Sequence, residues 1–158
     1  MTALTSPQLE CMITCDLLLK SNIVGVFPSD RIPRLHANQG LIVNTDPHNR
    51  EGHHWIAAYN VSNEHIEIFD SLNDRILQNQ VDFKYLANNV PIIINNVDIQ
   101  CTDSYLCGYY CICFLFFKVR LMPFEEFLCL FSNPCKVNDA IVLEFVKRKF
   151  SLCLINHM

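Results

Sequence analysis

The chain has 158 residues, 51% of them hydrophobic and 18% charged, with a net charge of −4 and only four glycines. That length fits one domain, residues 1–158, with enough apolar surface for a buried core. The composition excludes global disorder and collagen-like repeats, and the acidic balance argues against nucleic acid as the main ligand, since phosphate binding needs a concentrated basic surface.

Ser6 and Pro7 read as an N-cap and first helical residue, and Leu9, Met12, Ile13 and Leu17 follow at helical spacing. They predict a helix from Pro7 to Lys20. Gly25 to Pro33 reads as a proline-rich loop, and Gly40 to Thr45 as a strand ended by Asp46-Pro47. A hairpin follows, with Trp55–Tyr59 as one strand, His65–Phe69 as the other and the turn centred on Ser62. Asp74 to Asn88 is predicted to be helical, and Val90 to Ile94 a buried strand that begins near a proline. Tyr105 to Arg120 is apolar nearly all round, which marks a buried central helix stopped by Pro123. Phe124 to Phe131 reads as a short helix and Asp139 to Phe150 as a terminal one. The cluster Lys147-Arg148-Lys149 fits the last turn of that helix, where cations offset the macrodipole.

The nine cysteines are expected to be free thiols in a reducing intracellular compartment. Residues 1–20 lack a basic leader region, and Asp16 interrupts their apolar stretch. Zinc fits poorly, because no C-x-x-C pair occurs and Cys11/Cys15 and Cys111/Cys113 lack knuckle spacing. No metal is therefore expected. The longest apolar run, Leu106 to Phe117, is shorter than the ~20 residues a membrane span needs.

Cys107 lies near the predicted start of the central helix, with Asp103 or Ser104 as candidate caps. A helix N-terminus stabilises a thiolate, the reactive form of cysteine. Gly108 would let a substrate backbone approach closely. The other reading of Cys107 is a buried structural cysteine like its eight siblings. A thiolate nucleophile also needs an imidazole, and the imidazole an orienting carboxylate. His54 opens the first hairpin strand and Asp70 ends the second, and a turn centred on Ser62 would set them directly opposite each other. A slip of one residue would put them on opposite faces. Gln100, seven residues before Cys107, could donate to an oxyanion beside the Cys107 backbone N–H. Trp55 is expected to pack in the core and to shield the Cys–His pair from water.

These motifs occur in the order Gly52-His53-His54-Trp55, Ile66-Glu67-Ile68-Phe69-Asp70-Ser71, Gln100, then Cys107-Gly108-Tyr109-Tyr110-Cys111. That order resembles the superfamily of adenovirus (adenain-like) and SUMO proteases. Val24 to Pro33 and Leu41 to Thr45 are similar to the loop and strand that precede the histidine in the adenovirus branch.

The resemblance implies an α+β, papain-like cysteine peptidase in which a mixed central sheet packs on a buried nucleophile helix. It implies His54, Asp70 and Cys107 as the catalytic residues and Gln100 as the oxyanion-hole amide. It implies polypeptide substrates, namely capsid and core precursors cleaved during virion maturation, and action in the host nucleus or cytoplasm and in the virion. The alternative it leaves open is a deconjugating protease for SUMO, ubiquitin or related modifiers. No cysteine lies between Asp70 and Gln100, so a disulfide-linked activating peptide is not expected, whereas a non-covalent viral peptide remains open. A DNA cofactor is not expected from an acidic chain. No cofactor is required by the sequence, no membrane is involved, and the protein is expected to be a monomer.

Overall fold

Five strands form one mixed sheet in the order β1-β2-β3-β4-β5. They are β1 (Ile23–Pro28), β2 (Gly40–Asn44), β3 (Trp55–Val61), β4 (His65–Phe69) and β5 (Ile92–Ile94). β1 runs parallel to β2 and β5 parallel to β4, while β2-β3 and β3-β4 are antiparallel. A computed structural model describes residues 2–87 and 89–155.

The sheet is apolar on both faces, so it is covered on both. Ile42, Ala57, Tyr59 and Phe69 face a large cluster built around helix α5 (Cys107–Lys118). Leu41, Val43, Ile56, Ala58, Ile66 and Ile68 face a smaller cluster with Val81, Phe83 and Leu86. This strand-by-strand alternation follows the period of two in a pleated backbone. Helix α5 is buried along almost its whole length. Its Phe114 stacks on Phe69 of β4 at 5.1 Å between ring centroids. At its far end Lys118 forms a buried 2.6 Å ion pair with Glu67 of β4.

Several expected boundaries move, each for a local reason. The predicted helix from Pro7 to Lys20 is two helices, α1 (Ser6–Cys15) and α2 (Leu17–Asn22). Asp16 breaks it by adopting an extended backbone and accepting from the Leu18 and Leu19 N–H groups. Arg120 fixes that carboxylate with a 2.7 Å hydrogen bond. The cap of α1 is Thr5, not Ser6, and the Gln8 side chain accepts from its backbone N–H. The early loop is partly strand β1, in which Gly25 takes a positive φ of 140°.

The predicted helix over 74–88 is two short pieces, α3 (Arg75–Gln78) and α4 (Phe83–Ala87), and its last residue, Asn88, lies outside the described residues. β5 is an edge strand rather than a buried one, with Ile93 44% exposed. The predicted C-terminal helices appear as α6 (Phe124–Cys129) and α7 (Cys135–Lys149), with the three basic residues in the last turn of α7. Helix α8 (Ser151–Ile155) was not anticipated.

The expectation that every cysteine is a free thiol is corrected. Cys11 pairs with Cys153 and Cys101 with Cys135, across 142 and 34 residues of sequence. Spacing along the chain gives no hint of such pairs, which depend on how distant helices pack. Among the described residues no helix is long and apolar enough to cross a membrane.

Candidate active site

The site lies where the β3-β4 hairpin meets the N-terminal end of α5. The hairpin register differs from the expected one. Ala57 pairs with Phe69 and Val61 with His65, so the turn centres on Asn63 rather than Ser62. Ser62 and Asn63 both take positive φ, the geometry of a tight primed turn. His54 and Asp70 are therefore not directly opposite but offset by two residues. An even offset preserves the face, so the pair still meets. His54 itself lies just ahead of β3, and its carbonyl accepts from the Thr45 N–H.

His54 Nε2 lies 2.6 Å from Asp70 Oδ1, with His54 2% exposed and Asp70 fully buried. The Asp70 carboxylate is saturated. Oδ1 also accepts from the Leu72 N–H, and Oδ2 accepts from the Asp74 N–H and from Gln78 Nε2. Asn95 clamps the backbone on either side, accepting from the Asp70 N–H and donating to the Asp70 carbonyl. With Nε2 committed to Asp70, Nδ1 is the ring nitrogen left for Cys107, which acts with Asp70 to favour a charged imidazole.

Burial opposes a charge on His54. The hydrogen bonds to Asp70 and Cys107 and the attraction of both groups outweigh it, and the ring is pushed up to about 9. Burial likewise opposes charge on Asp70, but the His54 contact, with the Gln78 and Leu72 donors, holds its carboxyl below the ordinary value. The stability contributed by a charged His54 is therefore full below its ordinary value of 6.5 and lost as pH rises through about 9. That of Asp70 is present above 3.8 and lost as pH falls through its lowered value. If imidazolium is the working form, kcat/KM should fall on a basic limb near pH 9, which a pH–rate profile measures. A basic limb centred near the ordinary histidine value would contradict this assignment.

Cys107 is the first residue of α5 and is 6% exposed. The preceding residue, Leu106, occupies the cap position, so neither Asp103 nor Ser104 caps the helix as expected. Cys111 and Cys113 lie deeper in the same helix, and burial pushes both thiols up. Cys107 alone of the three lines a cleft of about 500 Å³. Ala3 to Ser6 form one wall of this cleft, with Val26 to Pro28 and Asp46, His48, Arg50 and His53 also lining it.

Trp55 packs as expected, and its indole N–H donates to the Leu4 carbonyl at 3.0 Å. The role expected for Gly108 changes. A side chain there would meet Leu4 Cβ at 3.1 Å and Trp55 Cδ1 at 3.2 Å. The missing side chain makes room for the protein's own N-terminal segment rather than for a substrate backbone.

Gln100 is buried and oriented at both ends. Its Oε1 accepts from Ser71 Oγ at 2.7 Å, and its Nε2 donates to the Ser104 carbonyl at 2.9 Å. The amide carries a second N–H beyond that bond. Ser71 also accepts the Ile99 and Gln100 backbone N–H groups through its carbonyl. The residue after Asp70 thus holds the loop carrying Gln100. Gln78, Asn95 and Ser71 were not anticipated as parts of the site, and no spacing rule marks them.

No protein-family model matches the chain. The protease of bovine adenovirus 7 is 32% identical over 114 residues, covering 60% of this chain and 54% of that protein. The protease of snake adenovirus serotype 1 is 31% identical over 144 residues, covering 80% of this chain and 70% of that protein. The chain belongs to the adenovirus protease family. It spans about half the length of the bovine member, 54%.

The fold of this adenovirus-protease family member is shared more widely. The crystal structure of the ASFV protease matches with a TM-score of 0.57 at 14% identity, over 89% of this chain and 66% of that one. The Ulp1 protease domain, solved in complex with the yeast SUMO orthologue Smt3, matches with a TM-score of 0.54 at 17% identity, over 97% and 76%. The central domain of a Legionella pneumophila protein matches with a TM-score of 0.58 at 12% identity, over 98% and 99%. These likenesses agree with the expected α+β, papain-like cysteine peptidase fold.

Proposed function

We propose that residues 1–158 act as a single cysteine endopeptidase domain that cleaves viral capsid and core precursors during virion maturation. The observation that carries this reading is the buried His54–Asp70 pair at 2.6 Å, with Cys107 at the head of α5 lining a cleft and contributing to the raised pKa of His54.

The chemistry follows from the arrangement. His54 takes the Cys107 proton, and the thiolate attacks a peptide carbonyl. The Cys107 backbone N–H and the second N–H of Gln100 stabilise the tetrahedral oxyanion. Protonated His54 gives its proton to the leaving amine, forming a thioester on Cys107. Water, deprotonated by His54, then hydrolyses the thioester and restores the thiol. Asp70 keeps the imidazole in the working tautomer throughout. Gln100→Ala is expected to lower kcat by roughly 10²–10³-fold with a smaller change in KM, the size of one lost oxyanion donor. Steady-state kinetics checks this.

Membership of the adenovirus protease family supports polypeptide substrates. No membrane is part of the proposal, DNA is left out because the chain carries a net charge of −4, and the chain is proposed to work as a monomer. The likeness to the Ulp1 domain, solved with Smt3, motivates the second reading, a deconjugase for SUMO or related modifiers.

One experiment separates these readings. Wild-type and Cys107→Ala chains are incubated with a diverse peptide library under reducing conditions, and the cuts are read by mass spectrometry. Cuts by the wild type alone, inside peptides and clustered at a consensus, support the endopeptidase. No cuts, with rapid labelling of Cys107 by a vinyl-sulfone probe built on SUMO or ubiquitin, support the deconjugase. No cuts and no labelling, reversed by added peptides from viral precursors, would point to a non-covalent activating peptide.

A further inference from the structure

We propose that the reduced chain binds a zinc ion through the thiolates of Cys11, Cys15 and Cys153. This site lies away from the active-site cleft and has no part in the chemistry above. Cys11 and Cys15 are four residues apart on α1, so they share one face of that helix. Cys153 comes from α8, which packs against α1. The three sulfurs lie within 4.8 Å of one another. Cys11 and Cys15 are 4.0 Å apart, and Cys15 and Cys153 are 3.2 Å apart. Zinc–sulfur bonds of ~2.3 Å in a tetrahedron set their sulfurs ~3.8 Å apart, so the cluster needs only small side-chain adjustments to hold the ion.

Three sulfurs cannot be satisfied by one disulfide. With Cys11–Cys153 closed, Cys15 is left beside them as a free thiol. A zinc ion uses all three at once, each ligating as thiolate and releasing its proton. The disulfide and metal-bound forms use the same atoms and exclude each other, so zinc belongs to the reduced form. Chain spacing alone hid the site, because Cys11 and Cys15 form a C-x-x-x-C pair and Cys153 lies 138 residues beyond Cys15.

An ion there would tie the first helix to the last. The segment ahead of α1 carries Leu4, which lies against Trp55 and Gly108 beside the cleft. The site would therefore steady one wall of the substrate groove.

The test uses the full chain, reduced with a phosphine under anaerobic conditions and titrated with Co²⁺ as an optical probe for zinc. The expected result is one equivalent bound, with a thiolate-to-cobalt charge-transfer band that Zn²⁺ abolishes by displacement. Cys15→Ser, at an exposed position that tolerates the change, should weaken binding by about tenfold or more. Cys153→Ser should do the same, and a fold lost there leaves Cys15→Ser to decide. Cys129→Ser and Cys107→Ala should titrate like the wild type. Absence of the charge-transfer band, a Cys15→Ser chain that titrates like the wild type, or a Cys11–Cys153 disulfide that stays closed under reductant would overturn the proposal.

Discussion

Cys107→Ala is expected to abolish turnover, a fall of about 10⁶-fold in kcat, while the chain stays folded. A covalent nucleophile has no substitute, and its loss costs as much as losing the whole catalytic unit. The fold should survive because only one sulfur is removed from a position with little exposed surface. That truncation costs on the order of 1 kcal/mol, a small part of a domain's stability. Initial rates and a thermal melt on the same preparation check both halves. Equal activity in Cys107→Ala and the wild type would end the peptidase reading.

His54→Ala is the second large loss, and Asp70→Asn shows why the acid differs from the base. Removing the imidazole deletes the group that takes and returns the proton, so kcat should again fall by about 10⁶-fold. Asp70 touches no reacting atom and orients the ring. Its Asn variant should therefore retain more activity, with a loss of up to roughly 10⁴-fold. Asp70→Asn should also melt below the wild type. The carboxylate accepts from four donors, His54 Nε2, the Leu72 and Asp74 N–H groups and Gln78 Nε2. An amide turns one accepting oxygen into a donor that faces donors, which costs roughly 1–3 kcal/mol at a buried site. Melting temperatures and kcat, measured for both variants, should show both melting below the wild type and His54→Ala far lower in kcat than Asp70→Asn. Equal losses of kcat in the two would contradict the division of labour between the two residues.

The candidate site residues were legible because the proposed chemistry calls for their types and the chain fixes their order. Cys107 at a helix start, a histidine and an acid on one hairpin, and Gln100 just upstream needed no distances. The hairpin placed its two residues together despite a turn misread by one position. The true register shifts the pairing by two, and two is the repeat of the pleat. What failed was decided by single side chains or by long-range packing. Apolar spacing ran straight through Asp16, but a carboxylate that caps the next helix and binds Arg120 overrides periodicity. Pro28 and Gly25 suggested a loop, yet both fit strand β1 at the sheet edge. Gln78 and Asn95, which hold Asp70 in place, are ordinary polar residues until the chain folds them onto it. The disulfides and the three-sulfur cluster join segments too far apart for any spacing argument.

Activation of Cys107 by His54 and Asp70 can be tested directly with neither a substrate nor an activator. The reduced chain is treated with limiting iodoacetamide at about pH 6, where ordinary thiols are almost wholly protonated and slow. Modification is then read cysteine by cysteine by mass spectrometry. Cys107, although nearly buried, should be alkylated well ahead of the exposed Cys129, and His54→Ala should erase that lead. A wild-type chain in which Cys129 reacts first and Cys107 lags, as its burial alone would dictate, would contradict the account.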